Sequence, residues 1–333
     1  MNVSDAERIT GWYKAKNWKE SRTNKEADEI VIVTCSVRQT AEDRVYGLVN
    51  NLEKLKKQNP NLKIILTGCM LRYPLKWLRE KMPTVDEFKK ISDFTKKTKP
   101  IYQKKIHAYV PIMEGCNQFC SYCVVPYARG REKSRSFAEI ICEIEELTKR
   151  GYRGITLLGQ NVNAYGKDLK NQKHNFANLL IEIHKINGLK KISFLTSNPW
   201  DLIDKIISVM SLPKIDRYLH LPVQSGDDDI LKKMNRHYTA NDYLKLIVKI
   251  KKEIPDIQIG TDIVVGFPGE TEKQFQNTLD LCKKVGFIKA YVAMYSPRLG
   301  TAAFKIKDDV SHQEKRRRWK ILDDLINKID KRC

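Results

Sequence analysis

Ser4 and Glu7 read as a capping box opening a helix that runs to about Trp18. Glu29–Thr34 carries a continuous β-branched run, Ile30-Val31-Ile32-Val33, the composition of a buried parallel strand. Ala41, Val45, Leu48, Val49 and Leu52 then fall at helical spacing and predict a helix with one buried face. Leu62–Thr67 reads as a second strand ending at Gly68-Cys69, and the lysine-rich stretch Lys89–Lys105, broken by Pro100, reads as a linker. From His107 onward strand and helix signals alternate. The strand candidates are Ala108–Met113, Gly154–Gly159, Lys191–Leu195, Arg217–Leu221, Ile257–Val265 and Lys289–Tyr295; Phe137–Arg150, Asn241–Lys252 and Glu272–Val285 are helical stretches between them. Six such units in series imply a parallel sheet, either a partial TIM-like barrel or a doubly wound sheet. Active residues then gather at the C-terminal ends of the strands.

A chain of 333 residues with 41% hydrophobic content suffices for two packed domains. Its 61 Lys and Arg against 40 Asp and Glu give a net charge of +21, which attracts polyanions, RNA foremost, although a solvated lysine-rich surface gives the same count. No apolar run approaches the ~20 residues of a membrane span, and Met1-Asn2-Val3-Ser4-Asp5 lacks the apolar core of a signal peptide. A cytoplasmic protein without membrane attachment is the expectation. Eight cysteines in such a chain point to metal or catalysis before disulfides.

Three of them, Cys116, Cys120 and Cys123, stand in one CxxxCxxC string directly after the first strand of the alternating region. Three thiolates are one short of the four ligands that close a structural zinc or iron–sulfur site, so one position stays open for a substrate or cofactor. The zinc alternative needs a fourth ligand at short range, and the nearest histidines are His107 and the distant His174. The string resembles the signature of the radical S-adenosylmethionine (SAM) enzymes. The resemblance implies a [4Fe-4S] cluster on these three cysteines, with SAM bound at its open iron.

The other strands of this region run out in polar, Gly or Pro sequence: Gly159-Gln160-Asn161-Val162-Asn163, Thr196-Ser197-Asn198-Pro199, His220 to Gly226, Gly266-Phe267-Pro268-Gly269-Glu270 and Ser296 to Thr301. Any one is ordinary loop sequence; all of them at one end of a sheet suit a charged nucleotide cofactor. Gln160, Asn161, Ser197, Gln224, Asp262 and Arg298 are the candidate cofactor-binding residues. Glu114 through Gly130, Leu158 to Tyr165, His220 to Gly226 and Val265 to Glu270 together resemble the methylthiotransferase family of radical SAM enzymes over nearly the whole chain. The Pro126-Tyr127-Ala128-Arg129-Gly130 and Gly159-to-Tyr165 elements are closest to its tRNA branch. What this implies is an α/β chain: a small methylthiotransferase N-terminal domain over 1–104, a partial TIM-like (β/α)6 radical SAM barrel over 105–310, and a helix over 311–333 leading toward an RNA-binding β-domain. It also implies methylthiolation at carbon 2 of isopentenyladenosine beside the tRNA anticodon, with an electron donor such as flavodoxin or ferredoxin and a sulfur source. Sister branches act on threonylcarbamoyladenosine in tRNA or on a ribosomal-protein aspartate.

The same family carries a second [4Fe-4S] cluster on three N-terminal cysteines. Cys35 and Cys69, each just past a strand end, match two of them; small buried hydrophobes are the plain alternative. The third belongs in a strand ahead of the first helix, and this chain opens at Met1-Asn2, so that strand and cysteine are expected to be missing. Cys142, Cys282 and Cys333 are no substitutes by position. For RNA, Arg129, Arg131 and Arg135 follow the cysteine string and are the candidates to hold an anticodon stem-loop whose base is unstacked for reaction. Lys315-Arg316-Arg317-Arg318-Trp319-Lys320, in a helix opened by Ser311 and Glu314, could grip phosphate, or form an ordinary solvated face. Rival readings are a catalytically impaired RNA-binding fragment and a zinc module.

Overall fold

The computed structural model describes residues 1–95, 98–171 and 173–328; Lys96, Lys97 and Cys333 lie outside them. The chain divides into two compact units, Met1–Lys105 with Val124–Gly130, and Ile106–Cys123 with Arg131–Cys333.

The first unit is a three-layer α/β/α sandwich. Its elements are α1 (Asn2–Ala15), β1 (Glu29–Thr34), α2 (Gln39–Gln58), β2 (Lys63–Gly68), α3 (Leu75–Lys81), β3 (Glu87–Phe88), α4 (Ile91–Thr95) and α5 (Val125–Arg129). The sheet is parallel, in the order β1-β2-β3. The pleat sends Ile64 and Leu66 of β2 to a core shared with Val45, Val49 and Leu52 of α2, and Ile65 to the opposite face against Ile9 of α1 and Phe94 of α4. The central, fully buried strand is therefore β2; β1 lies at the edge with Ile30 and Val31 half-buried.

Four expectations need correction here. Ser4 and Glu7 form no capping box: α1 starts at Asn2, both residues are buried inside it, and the Glu7 carboxylate accepts from Gln103 N at 3.0 Å. The helix stops at Ala15 rather than Trp18, because Asn17 turns the backbone left-handed at φ 64°. Leu48 is exposed, the α2 stripe being completed by half-buried Tyr46 and Leu55. The lysine-rich segment is not a bare linker either. Phe94 anchors it in the core, and Ile101 N donates to Glu7 O at 2.9 Å.

The second unit contains β4 (His107–Pro111), β5 (Met113–Glu114), β6 (Lys133–Ser134), α6 (Phe137–Lys149), β7 (Gly154–Leu158), α7 (Phe176–Lys185), β8 (Lys191–Phe194), α8 (Asp204–Met210), β9 (Tyr218–His220), α9 (Asp228–Lys233), α10 (Ala240–Glu253), β10 (Gln258–Val265), α11 (Glu272–Val285), β11 (Lys289–Met294) and α12 (His312–Asn327). β4-β7-β8 and β9-β10-β11 are parallel sheets. A parallel bridge between Ile192 and Ile215 joins them, with Asp216 N donating to Ile192 O at 2.9 Å. The six strands expected from the sequence thus form the staves of a partial barrel, and all their C-terminal ends lie on one rim. The first stave is shorter than expected: Met113 leaves it to pair antiparallel with Ser134 in the β5–β6 hairpin.

Helix α12 seals the β11 edge. Asn327 donates Nδ2 to Ala290 O at 2.8 Å and accepts from Ala290 N at 3.0 Å, and Trp319 Nε1 donates to Val292 O at 3.0 Å. Covering an edge strand in this way removes unpaired backbone groups from solvent. The cation run is correspondingly committed. Lys315 and Arg318 are buried, Lys315 on Asp308 at 2.6 Å and Arg318 on Glu270 at 2.9 Å, while Arg317 pairs with Glu314 at 2.7 Å. An RNA-gripping face made of all four cations is therefore not what this helix presents. Only half of its capping box forms: Ser311 Oγ accepts from Glu314 N, and the Glu314 carboxylate goes to the arginines.

Candidate active site

The cysteine loop is the excursion between the arms of the β5–β6 hairpin, so its two ends are held side by side. Asn117 and Glu132 clamp the neck: Asn117 N donates to Glu132 Oε1 at 3.2 Å and Glu132 N donates to Asn117 Oδ1 at 3.2 Å. Gly115 takes φ 80°, a left-handed turn that suits glycine, and its N donates to Gln160 Oε1 at 2.6 Å. That bond pins the residue before Cys116 to the end of β7. Further along, Gln118 Nε2 donates to Asp201 Oδ2 at 3.0 Å and Gln118 Oε1 accepts from Trp200 Nε1 at 3.1 Å. Ser121 is fixed from three sides: its N donates to Met234 O, its Oγ to Lys233 O at 2.8 Å, and its O accepts from Ala303 N. Asn235 Nδ2 holds the carbonyls of Gln118 and Phe119 at 3.1 Å. The loop is thus gripped by the ends of several staves, while Cys116, Cys120 and Cys123 stay half-buried and unbridged.

The electrostatics are uneven. Burial, aided by Glu132, Cys120 and Asp201, pushes the Cys116 thiol up to about 12. Arg236 instead lies against Cys120, its Nη1 3.4 Å from the Cys120 Sγ. Among the described residues no three Cys, His, Asp or Glu side chains meet at the spacing of a single ion; a cubane takes each thiolate on a different iron, so its ligands stand wider apart.

The rim assembles most of the candidate cofactor residues. Buried Asp201 is its hub, accepting from Asn161 Nδ2 at 2.6 Å and from Gln118, and paired with Lys167. His220 Nε2 bonds Asp262 Oδ2 at 2.8 Å. Gln224 is buried with φ 68° and ties β9 to β10 through its N to Asp262 O at 2.9 Å. Arg298 is buried, its carbonyl accepting from Thr301. Phe119, Thr196, Gln224 and Asn235 all have positive φ; for a β-branched residue such as Thr196 this is costly backbone, of the kind that collects at functional sites. A buried polar atom is expected to have a partner. Asn161 Oδ1, Asn163 Oδ1, Ser197 Oγ and Asn198 Oδ1 are buried without one among the described residues. Four such acceptors at the ends of β7 and β8, beside a three-thiol loop, fit a polar nucleotide cofactor next to an iron–sulfur cluster.

The arginines divide. Arg131 is exposed, its guanidinium 4.4 Å over the Phe119 ring. Arg135 spends Nη1 on Pro111 O and Nη2 on Glu143 Oε2, both at 2.6 Å. In the first unit Arg129 pairs with Asp5 at 2.7 Å, both side chains buried. In the same unit the register pairs Thr34 with Gly68, which sets Cys35 and Cys69 side by side just past β1 and β2. Burial pushes the Cys69 thiol up, opposed by Arg129 and raised further by Cys35. Gly68 has φ 96°, and a Cβ there would lie 2.5 Å from Thr34 O and 2.8 Å from Thr34 N. Gly68→Ala is expected to cost about 1–3 kcal/mol in chemical denaturation and to splay the Cys35 and Cys69 loops; an unchanged denaturation midpoint would contradict this.

Asp201, Gln118, His220 and Arg236 are site residues that sequence reasoning did not single out. Gln118 and His220 lie inside the recognised strings, but Asp201 and Arg236 have no pattern around them, and only the folded barrel brings them to the loop.

Comparisons with known proteins agree with this geometry. Residues 110–282 match the Radical SAM superfamily and residues 1–89 match the Uncharacterized protein family UPF0004. A tRNA-2-methylthio-N(6)-dimethylallyladenosine synthase of Clostridium tetani is 43% identical over 98% of this chain and 79% of its own length. The protein of that name in Carboxydothermus hydrogenoformans is 45% identical over 99% of this chain and 81% of its own length. Among solved structures, the radical SAM methyltransferase TsrM of Kitasatospora setae, with cobalamin and a [4Fe-4S] cluster bound, superposes with a TM-score of 0.58 at 13% identity, covering 88% of this chain and 71% of that one, a likeness of fold. The chain is a radical SAM enzyme and belongs to the tRNA-2-methylthio-N(6)-dimethylallyladenosine synthase family.

Proposed function

We propose that this enzyme places a methylthio group on carbon 2 of isopentenyladenosine beside the anticodon of tRNA. The observation that carries the reading is the three-cysteine loop, clamped at its neck and facing a rim of buried acceptors without partners; the family relation supplies the substrate class. A [4Fe-4S] cluster on Cys116, Cys120 and Cys123, with SAM at its open iron, would supply one-electron cleavage of the cofactor to a hydrogen-abstracting radical.

The remaining work belongs to the chain. Gln160 and the Asn117–Glu132 clamp hold the Cys116 backbone, Asp201 and Trp200 hold Gln118, and Asn235 holds the turn at Phe119. Asn161, Asn163, Ser197 and Asn198 offer buried oxygens to cofactor donors, and Asp262, kept in place by His220, adds a carboxylate. Gln224 and Arg298, both buried, are the further candidates to contact the cofactor. Such positioning before reaction is what lets a scaffold direct a reactive species to one carbon. Cys35 and Cys69 would hold two corners of a second [4Fe-4S] cluster, the site for the added sulfur, with a third ligand and a sulfur source from elsewhere. A flavodoxin or ferredoxin is the proposed electron donor. No helix among the described residues is long and apolar enough to cross a membrane, and the proposed tRNA substrate supports a cytoplasmic enzyme.

Arg131 is the arginine of the three available to the anticodon stem-loop; Arg129 and Arg135 brace the protein instead. Arg131→Glu is expected to weaken tRNA affinity about tenfold in a binding titration at fixed low salt, with iron content unchanged; equal affinity would remove Arg131 from the RNA surface. The function itself is tested by nucleoside mass spectrometry after parallel reactions with tRNA bearing isopentenyladenosine, tRNA bearing threonylcarbamoyladenosine, and ribosomes. Methylthiolation of the first alone is expected. Modification confined to either of the others would reassign the branch.

A further inference from the structure

Arg236 is a buried cation with no carboxylate partner among the described residues. Among the described residues its polar partners are Cys120 Sγ at 3.4 Å, Pro222 O at 3.0 Å and Tyr238 Oη at 3.1 Å. Its guanidinium lies 4.6 Å from the Trp200 ring centroid and 5.2 Å from that of Tyr238. Tyr238 is itself held by Val223 O at 2.8 Å, and Trp200 by Gln118. The side chain is therefore held against two neighbouring rings, whose centroids lie 5.6 Å apart, with one nitrogen aimed at a cysteine of the loop. An arginine cannot shed its proton to escape burial, and a buried charge is costly unless a counter-charge meets it. The counter-charge within its reach is the thiolate of Cys120 together with whatever that thiolate binds.

On the reading that Cys116, Cys120 and Cys123 hold a [4Fe-4S] cluster, we infer that Arg236 is a positioning residue whose fixed positive charge on Cys120 makes that cluster easier to reduce. Reduction adds negative charge beside the guanidinium, so the cation favours the reduced form; hydrogen bonds to ligand sulfur act in the same direction. The two rings and the Pro222 carbonyl keep the charge from swinging into solvent, and the half-buried site limits screening. Lys232 and Lys233, exposed on α9, have no such arrangement.

The test uses the full chain in a Cys35→Ala/Cys69→Ala background, so that only the loop's cluster contributes. Parent, Arg236→Gln and Arg236→Lys are reconstituted anaerobically and read for iron and labile sulfide, and for midpoint potential by redox titration followed by electron paramagnetic resonance. The expected result is that Arg236→Gln keeps its iron but has a more negative midpoint. At a fixed potential its reduced-to-oxidised ratio then falls about tenfold, about 59 mV for a one-electron couple, and Arg236→Lys lies between. If Arg236→Gln takes up no iron while Arg236→Lys does, the charge serves cluster assembly and the inference is overturned. Full iron with an unchanged midpoint in Arg236→Gln overturns the inference, as does loss of iron in both variants, which marks a packing role. A parent protein without iron overturns instead the cluster assignment beneath it.

Discussion

Replacing Cys116, Cys120 or Cys123 by alanine is expected to remove about four irons per chain and to reduce 5′-deoxyadenosine formation from SAM to background. The loop's fold does not depend on its sulfurs. Its neck is held by Asn117 and Glu132, its middle by Gln118 on Asp201 and Asn235 on Phe119, and its end by Ser121 on Lys233. The alanine variants should therefore melt with the parent apoprotein while losing the cluster, since two thiolates cannot carry what three do. Cys142 is exposed on α6 and is the natural control, because its alanine variant should keep both iron and turnover. Iron assay with chromatography of the nucleoside product checks both halves. Retained 5′-deoxyadenosine in any of the three variants would refute the assignment.

The largest effect on stability is expected at Arg318. Its Nη1 donates to Glu270 Oε2 and Glu270 O, each at 2.9 Å, and its Nε to Glu314 Oε1 at 2.7 Å. The Glu270 carboxylate also accepts from Gly266 N at 2.6 Å, so one ion pair ties the loop after β10 to α12. Both side chains are almost fully buried, at 5% and 1% exposure. Removing one partner of such a pair strands the other charge and costs about 3–5 kcal/mol. For a unit of this size, about 3 kcal/mol lowers Tm by about 6–12 °C. The deficit carries a pH signature. Burial already raises the Glu270 pKa, and losing Arg318 raises it further. A carboxyl whose folded pKa lies above its unfolded value binds protons more readily when folded, so stability is lost as pH rises through the folded value. Arg318→Ala should therefore lose less at pH 5 than at pH 8. Arg316 is exposed, and Arg316→Glu should change stability by no more than about 0.5 kcal/mol. Equal effects at the two positions would show that the Arg318–Glu270 pair does not hold α12 to the loop after β10.

The staves of the barrel were legible because each apolar run is bounded by Gly, Pro or polar sequence, and a parallel sheet buries both faces. The spacing of Cys116, Cys120 and Cys123 already put them in one short segment, and the fold carries that segment as the loop between β5 and β6. What misled was charge and caps. Lys315 and Arg318 look in sequence like the outward members of a cation run, yet Asp308 and Glu270, far from Arg318 in the chain, draw them inward. Arg129 and Arg135 follow the cysteines as RNA-binding arginines would, but Asp5 and Glu143 take them. Ser4 and Glu7 have capping-box spacing, and burial within α1 gives them other partners. Such pairings form only on folding, so local spacing does not contain them. Asp201 and Arg236 were invisible for the same reason: each acquires its role from residues on other staves.

The measurement that tests the central claim most directly is iron and acid-labile sulfide per chain after anaerobic reconstitution. The account predicts at least about four irons with matching sulfide, held by Cys116, Cys120 and Cys123. About eight would add the cluster at Cys35 and Cys69 with a further ligand. A colourless protein with zinc and no iron would contradict it.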